Sequence, residues 1–434
     1  MKKLLRSCAS VLAVAAGLGM VATDAKATEG YFQHAYGVRH KALAGAGAAS
    51  VEDATGISIN PAGLVGIGNQ LNMGVSLFSP QRWYDARGGG QAATGKHKSK
   101  RRLFAIPTSA YVQQLDGQSA IAVSIFGNGG MNTTYGRVNH AAPCVGASGI
   151  LCGTGKTGVD LMQMFLSAAY ARKLGDNFSV GIAPIFAVQR FKAYGLQAFT
   201  GNSSDFNNLT NRGYSYSYGG GVRVGLLVKP TDTFSIGASY QTKMWMSKFK
   251  KYRGLFAEHG DFDIPANLQV GLAWQATPTL KIMLDYRRIF YSDVKSIANR
   301  MQSILSGVKL GTKGGAGFNW DDTNTIKIGL EFQATNNLIL RAGYSYMFPQ
   351  VMDKEAILFN ILAPGVIRHQ ITGGATFRVD DHNDIDFAFM VAPTGKKSGV
   401  TPAAFGSQNI TLKMYQFEAS LGWTYNFDGS ARAR

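Results

Sequence analysis

Tyr415-Gln416-Phe417-Glu418-Ala419-Ser420-Leu421-Gly422-Trp423-Thr424-Tyr425-Asn426-Phe427 is the stretch that decides the fold. Its apolar side chains fall on every second position. A β-strand sends successive side chains to opposite faces, so this period gives one apolar and one polar face. The pattern recurs upstream. Ile326, Ile328, Leu330 and Phe332 alternate with Lys327, Gly329, Glu331 and Gln333. Leu280, Ile282, Leu284 and Tyr286 alternate with Lys281, Met283, Asp285 and Arg287. Fourteen such segments are predicted, near residues 70–81, 102–114, 119–127, 158–172, 178–192, 213–229, 234–247, 264–276, 280–291, 323–334, 338–348, 368–379, 384–392 and 410–427.

The connections between them alternate between short and long. Asp116-Gly117, Thr231-Asp232, Thr277-Pro278 and Asn336-Asn337 are tight-turn pairs. The long connections hold most of the lysines and the cysteines. Composition agrees with a barrel: 53 Gly, 11% aromatic and only 16% charged residues, against about 25% charged in ordinary soluble domains. Beyond the first two dozen residues no apolar run approaches the ~20 residues of a membrane-spanning helix. An even number of one-sided strands with short turns at one end and long loops at the other predicts a 14-stranded antiparallel transmembrane β-barrel. Its apolar face meets lipid and its polar face the lumen. The location that follows is the outer membrane of a Gram-negative bacterium.

The first residues agree. Lys2, Lys3 and Arg6 precede an apolar stretch from Cys8 to Ala22, and Ala25-Lys26-Ala27 offers small residues for cleavage. Residues 1–27 are therefore read as a signal peptide, 28–68 as an N-terminal plug in the lumen, 69–427 as the barrel and 428–434 as a periplasmic tail. Cys144 and Cys152 are expected to form a disulfide in an oxidising compartment, worth about 2.5 kcal/mol by loop entropy. A metal site fits the spacing poorly, and no metal or cofactor is expected.

The plug carries Gly30-Tyr31-Phe32-Gln33, Ala44-Gly45-Ala46-Gly47-Ala48, Glu52-Asp53-Ala54 and Asn60-Pro61-Ala62-Gly63. This string resembles the N-terminal hatch of the FadL/TodX family of outer-membrane transporters for long-chain fatty acids and aromatic hydrocarbons. The resemblance implies a 14-stranded barrel with a plug that includes Tyr31, Phe32, Gln33, Asn60, Pro61 and Ala62. It also implies a kinked third strand that opens the wall, here at Gly127, Asn128, Gly129 and Gly130. Passive uptake of hydrophobic compounds follows, most of all of long-chain fatty acids. Ligand would pass from an apolar loop groove to a lumenal pocket and leave through this lateral gate. One departure lies at the C-terminus, where Phe427 is followed by seven further residues instead of closing the chain for the barrel assembly machinery.

Candidate ligand-binding residues are Leu196, Phe199, Phe206, Leu209, Leu255 and Phe256 in two long loops. Arg190 and Lys192 are candidates for a carboxylate head group. Arg287, Lys327 and Arg341 are read as a lumenal salt network with Asp285, Glu331 and Glu418. The apolar loop Ala356-Ile357-Leu358-Phe359-Asn360-Ile361-Leu362 is either rim packing or part of the groove. Basic runs at Lys96–Arg102 and Lys248–Arg253 suit lipopolysaccharide phosphates better than nucleic acid, and a monomer is expected. Gly153-Thr154-Gly155-Lys156-Thr157 lacks the first glycine and preceding strand of a phosphate loop. No esterase or zinc-protease motif occurs, so an enzyme is not expected. A diffusion porin is the alternative from another class, and the plug argues against it.

Overall fold

The computed structural model describes residues 29–140 and 142–429. The expected signal segment, Thr28 and residues 430–434 of the expected tail lie outside these. Fourteen strands form the wall. They are β1 (Gln70–Arg87), β2 (Phe104–Gln114), β3 (Ser119–Tyr135), β4 (Thr157–Lys173), β5 (Phe178–Tyr194), β6 (Ser215–Thr231), β7 (Phe234–Gln241), β8 (Asn267–Thr277), β9 (Leu280–Ile289), β10 (Thr323–Thr335), β11 (Leu338–Phe348), β12 (His369–Arg378), β13 (Asn383–Val400) and β14 (Asn409–Asn426). Neighbours in sequence pair antiparallel, and β1 closes on β14 from Gln70–Asn426 to Arg87–Asn409. Closure of β1 on β14 leaves neither terminal strand with a free edge, which a sheet in hydrocarbon requires.

The two-residue period sorts the faces as expected. Val75, Leu77, Phe186, Leu226, Phe387, Phe389 and Leu421 point outward and are exposed, forming the lipid-facing band. Asn72, Ser76, Gln189, Arg223, Gln269, Arg287, Lys327 and Glu418 point inward and are buried. Trp274, Phe332, Phe377 and Phe427 mark the end with the short turns, and Tyr216, Tyr218 and Tyr344 the other. Such aromatic girdles sit at the two membrane interfaces.

Four strands depart from the expected limits. β1 and β13 run six and eight residues beyond the predicted 81 and 392. Above the lipid band each face mixes polar and apolar residues, so alternation no longer marks the strand. In β13 a register shift between Ala392 and Gly395 further breaks the period. As a result the last long connection shrinks to residues 401–408. β3 continues to Tyr135, well past its glycines. β7 stops at Gln241, and Trp245–Met246 fold back onto Gly219 and Gly220 of β6.

The long loops pack into an apolar roof over one end. Tyr291, Ile297, Met301, Trp320, Val351, Ile357, Leu358 and Ile361 are all buried in it. At the other end Asp428 accepts from the backbone and side-chain nitrogens of Asn69, both at 2.8 Å. The first tail residue thus fastens the chain end to the start of β1.

Residues 29–68 run inside the barrel, and nearly every residue from Tyr31 to Leu64 is buried. Arg39 donates from Nη2 to Asp384 at 2.8 Å and from Nε to Asp386 at 2.9 Å, both on β13. Removing one member of a buried ion pair strands the other's charge, at a cost of roughly 3–5 kcal/mol. Arg39→Ala should therefore lower the thermal unfolding temperature of the barrel markedly. Arg39→Ala combined with Asp384→Asn and Asp386→Asn should recover most of the loss. Equal melting of wild type and the single variant would show that the pair adds nothing.

Candidate functional site

The plug is joined to the wall by charges and caps. Glu29 accepts from Lys327 on β10 at 2.6 Å and from Arg287 on β9 at 3.1 Å. Lys41 pairs with Glu418 on β14. Glu52 lies 3.0 Å from Lys281, which also meets Glu331 at 3.1 Å. Arg341 bonds Glu331 at 2.8 Å. The expected lumenal salt network therefore exists, and the plug enters it with the anions Glu29 and Glu52 and the cation Lys41. Among the described residues Asp285 has no cation at ion-pair distance: its Oδ2 accepts the backbone N–H groups of Gly47 and Ala48.

The Asn60-Pro61-Ala62-Gly63 motif has a local reason. Asn60 Oδ1 caps the short helical turn Pro61–Leu64 by accepting from Ala62 N at 3.1 Å. Proline fits the first helical position because its missing N–H would find no intrahelical partner there. The same Asn60 donates to Leu226 O on β6 at 2.9 Å. That close approach needs Gly225, whose place a Cβ could not share with Asn60 Oδ1.

At the third strand the wall breaks. The β2–β3 ladder ends at Thr108–Phe126. The β3–β4 ladder continues to Tyr135, with a bulge between Gly127 and Gly129. Beyond Phe126 the plug takes the place of β2 as pairing partner. Gly130 N donates to Tyr31 O at 3.0 Å, and Gln33 N donates to Asn128 O at 3.1 Å. Gln33 Nε2 donates to Gly127 O at 2.5 Å. A Cβ on Gly129 would overlap the Tyr31 carbonyl, which is why glycine stands there. Asn128 is turned inward, accepting from Tyr36 Oη at 2.7 Å and donating to Gln163 at 2.9 Å.

Above the plug lies an apolar cavity. Leu196, Phe199, Leu209, Leu255 and Phe256 line it, as the sequence suggests. Phe191, Phe318, Phe359 and Leu362 also line it, with Ser296 its one polar member. Loop 356–362 thus does both things weighed for it: Phe359 and Leu362 face the cavity, while Ile357, Leu358 and Ile361 pack the rim. Phe206 does not join them; it is 63% exposed. Phe191 and Phe318 escape the sequence reading because each looks like an ordinary wall or loop residue there. Beside the cavity, Tyr31 sits in a cage of Phe262, Tyr291 and Trp320 with ring centroids 5.4–6.2 Å away. Next to Phe262, burial and the nearby Asp263 push the Asp261 carboxyl up to about 6.

Arg190 and Lys192 are displaced from the role expected of them. Their parity on β5 is that of the exposed Ile182 and Phe186, so they face out of the barrel. Both lie over the Tyr214 ring, and Lys192 approaches Asp160 at 3.8 Å. Cys144 and Cys152 are joined as a disulfide with a Cα separation of 5.5 Å. It sits in the long loop that also supplies Leu151 to the cavity.

A closed 14-stranded barrel with a buried N-terminal segment and an apolar chamber over it defines an outer-membrane transport barrel. The match to a family model over residues 18–428 makes the assignment specific. The chain belongs to the outer membrane protein transport protein family (OMPP1/FadL/TodX). Its members are transport channels for hydrophobic compounds. Among solved structures it is similar to the Pseudomonas putida toluene transporter TodX, at 18% identity and TM-score 0.67, covering 91% of this chain and 99% of that one. A Pseudomonas aeruginosa FadL homologue gives 18% identity and TM-score 0.67, covering 92% and 100%. The Ralstonia pickettii toluene transporter TbuX gives 19% identity and TM-score 0.63, covering 91% and 99%. No curated protein sequence matches.

Two outcomes test this site. In Gly129→Val the branched side chain should expel Tyr31, so the amides of Gly130 and Gln33 should lose their protection in hydrogen exchange while the β4–β5 amides keep theirs. Retained protection at Gly130 would contradict the pairing. Intact-mass measurement of freshly isolated protein should show two added hydrogens only after reductant, as the Cys144–Cys152 bond requires.

Proposed function

We propose that this protein carries hydrophobic compounds passively through the outer membrane. The observation that carries the reading is the apolar cavity stacked over a plug that itself completes a broken wall. A ligand enters among the loops and settles against Phe191, Phe199 and Phe256. It leaves sideways between β2 and β3 once the segment Tyr31–Gln33 moves. Burial of each CH₂ contributes roughly 0.8 kcal/mol, so capture is easy and release is the controlled step. Gly127, Asn128, Gly129 and Gly130 are the gate in this scheme.

The cargo is a long-chain fatty acid in the first reading. The aromatic lining favours a second, a monoaromatic hydrocarbon, and the similar proteins TodX and TbuX are toluene transporters. A porin for polar solutes fits less well, since the plug fills the lumen. On the outer surface, Lys98 stands opposite Trp83, Trp83 opposite Lys413, and Lys413 opposite Lys396. Like charges facing across strands repel, and lipopolysaccharide phosphates at this level would relieve that repulsion.

The test is a charge in the cavity. Leu209→Asp should abolish uptake of toluene and of dodecanoate by whole cells, because an unpaired buried carboxylate costs several kcal/mol or stays empty of apolar ligand. Arg190→Ala should leave both rates unchanged. Normal uptake by a correctly folded Leu209→Asp barrel would remove the cavity from the route.

A further inference from the structure

The end of the barrel with the long loops is its outer end. There, above the lipid-facing band, one row of side chains crosses adjacent strands of the wall. Lys396 of β13 stands opposite Lys413 of β14, Lys413 opposite Trp83 of β1, and Trp83 opposite Lys98. Lys98 ends the short strand Gly95–Lys98, which pairs with β1 beyond the last β1–β2 pair, Phe78–Phe104. Trp83 has the parity of the exposed Leu77, so the row faces out of the barrel. Lys96, two residues before Lys98, holds its Nζ 5.0 Å from the centre of the Trp83 ring.

Among the described residues none of these lysines has a carboxylate at ion-pair distance. Asp85 stands opposite Lys96, and no ion pair joins them. In the lumen, by contrast, Arg39, Lys41, Arg287, Lys327 and Arg341 each meet a carboxylate. Like charges directly opposite in an antiparallel pair are destabilising, and Lys396 and Lys413 are such a pair. The row therefore lacks an anion.

Below the lysines the same face turns aromatic. The rings of Trp83 and Tyr415 have centroids 6.0 Å apart, and those of Tyr415 and Phe417 are 5.5 Å apart. Phe417 is 47% exposed and stands opposite Val391 in the lipid band. Neighbouring strands lie about 4.8 Å apart, so the three steps from Lys396 to Lys98 span roughly 14 Å. Cations occupy both ends of that span, with an indole between them and a column of rings leading down into hydrocarbon.

We propose that this face holds one lipopolysaccharide molecule by its lipid A end. One phosphate bonds Lys396 and Lys413, and the second bonds Lys96 and Lys98. The sugar lies against Trp83, and acyl chains follow Tyr415 and Phe417 into the bilayer. A glycerophospholipid with a single phosphate fills only one end of the row. The proposal rests on the lipopolysaccharide contact read above at these lysines and gives it a stoichiometry and a track. The apolar cavity and the lateral route do not enter it.

Native mass spectrometry of the mature protein, stripped of lipid by detergent exchange, tests it. The probes are lipid A, lipid A without its phosphates, and phosphatidylglycerol. Wild type should retain one lipid A and bind it roughly 10- to 100-fold more tightly than either other probe, the span of a charge-assisted hydrogen bond. Lys98→Gln, Lys396→Gln and Lys413→Gln together should erase that preference. Lys248→Gln, Lys250→Gln and Lys251→Gln remove the same charge from another loop and should leave it intact. Lipid A should also raise the unfolding temperature of wild type but not that of the first triple variant. Without lipid, that variant should unfold no lower than wild type, since only a repulsion has been removed; this certifies its fold. An unchanged preference in the first triple variant, an equal loss in the second, or phosphatidylglycerol bound as tightly as lipid A overturns the site. Each of these results leaves uptake of hydrophobic compounds standing.

Discussion

No backbone amide or carbonyl can be left unpaired where the chain faces hydrocarbon, and the whole molecule is arranged around the place where its own wall fails to meet that demand. Strands β1 and β14 close the sheet. Between β2 and β3 the ladder stops at Phe126. Tyr31 and Gln33 then take over the bonding to Asn128 and Gly130. The plug is thus structurally a missing piece of strand as well as a filling. Any motion that frees the lumen must also unpair that piece.

This duty explains the density of buried charge. A segment that must place two backbone groups and a side-chain amide against a strand cannot slide. Glu29 is clamped by Lys327 and Arg287, Arg39 by Asp384 and Asp386, and Lys41 by Glu418. Such pairs add little net stability, because desolvation offsets much of the attraction. What they supply is position: each allows one arrangement of plug and wall, and displaced alternatives strand a charge.

The barrel was legible in the sequence because lipid on one side and lumen on the other enforce a two-residue period. Where lipid ends, so did the reading: β1 beyond Gln81 and β13 beyond Ala392 mix polar and apolar residues on each face. The glycines at 127–130 were legible as a bend, since no side chain there could pack. The cavity was legible through Leu196, Phe199, Leu209, Leu255 and Phe256, which are too apolar for exposed loops. Polar pairings were harder. Arg190 and Lys192 look like lumenal cations only if parity is ignored.

The two halves of the interior meet at one residue. Below Tyr31 the lumen is polar and ion-paired; above it the roof is apolar and aromatic. Its carbonyl holds Gly130, while its ring lies among Phe262, Tyr291 and Trp320. Its backbone N–H donates to Tyr291 Oη at 3.2 Å, and that hydroxyl in turn donates to Glu29 O at 2.5 Å. A second cavity lies beside the break, and Gly30, Gly130 and Trp320 line it. A molecule in it therefore touches the residue before Tyr31, the strand that Tyr31 pairs with and a wall of its cage. A ligand shifts an equilibrium only by the difference in its affinity for the two states. In the proposed lateral route that difference would have a physical origin, because this space is bounded by Gly30, Gly130 and Trp320, the surroundings of the Tyr31–Gly130 pairing.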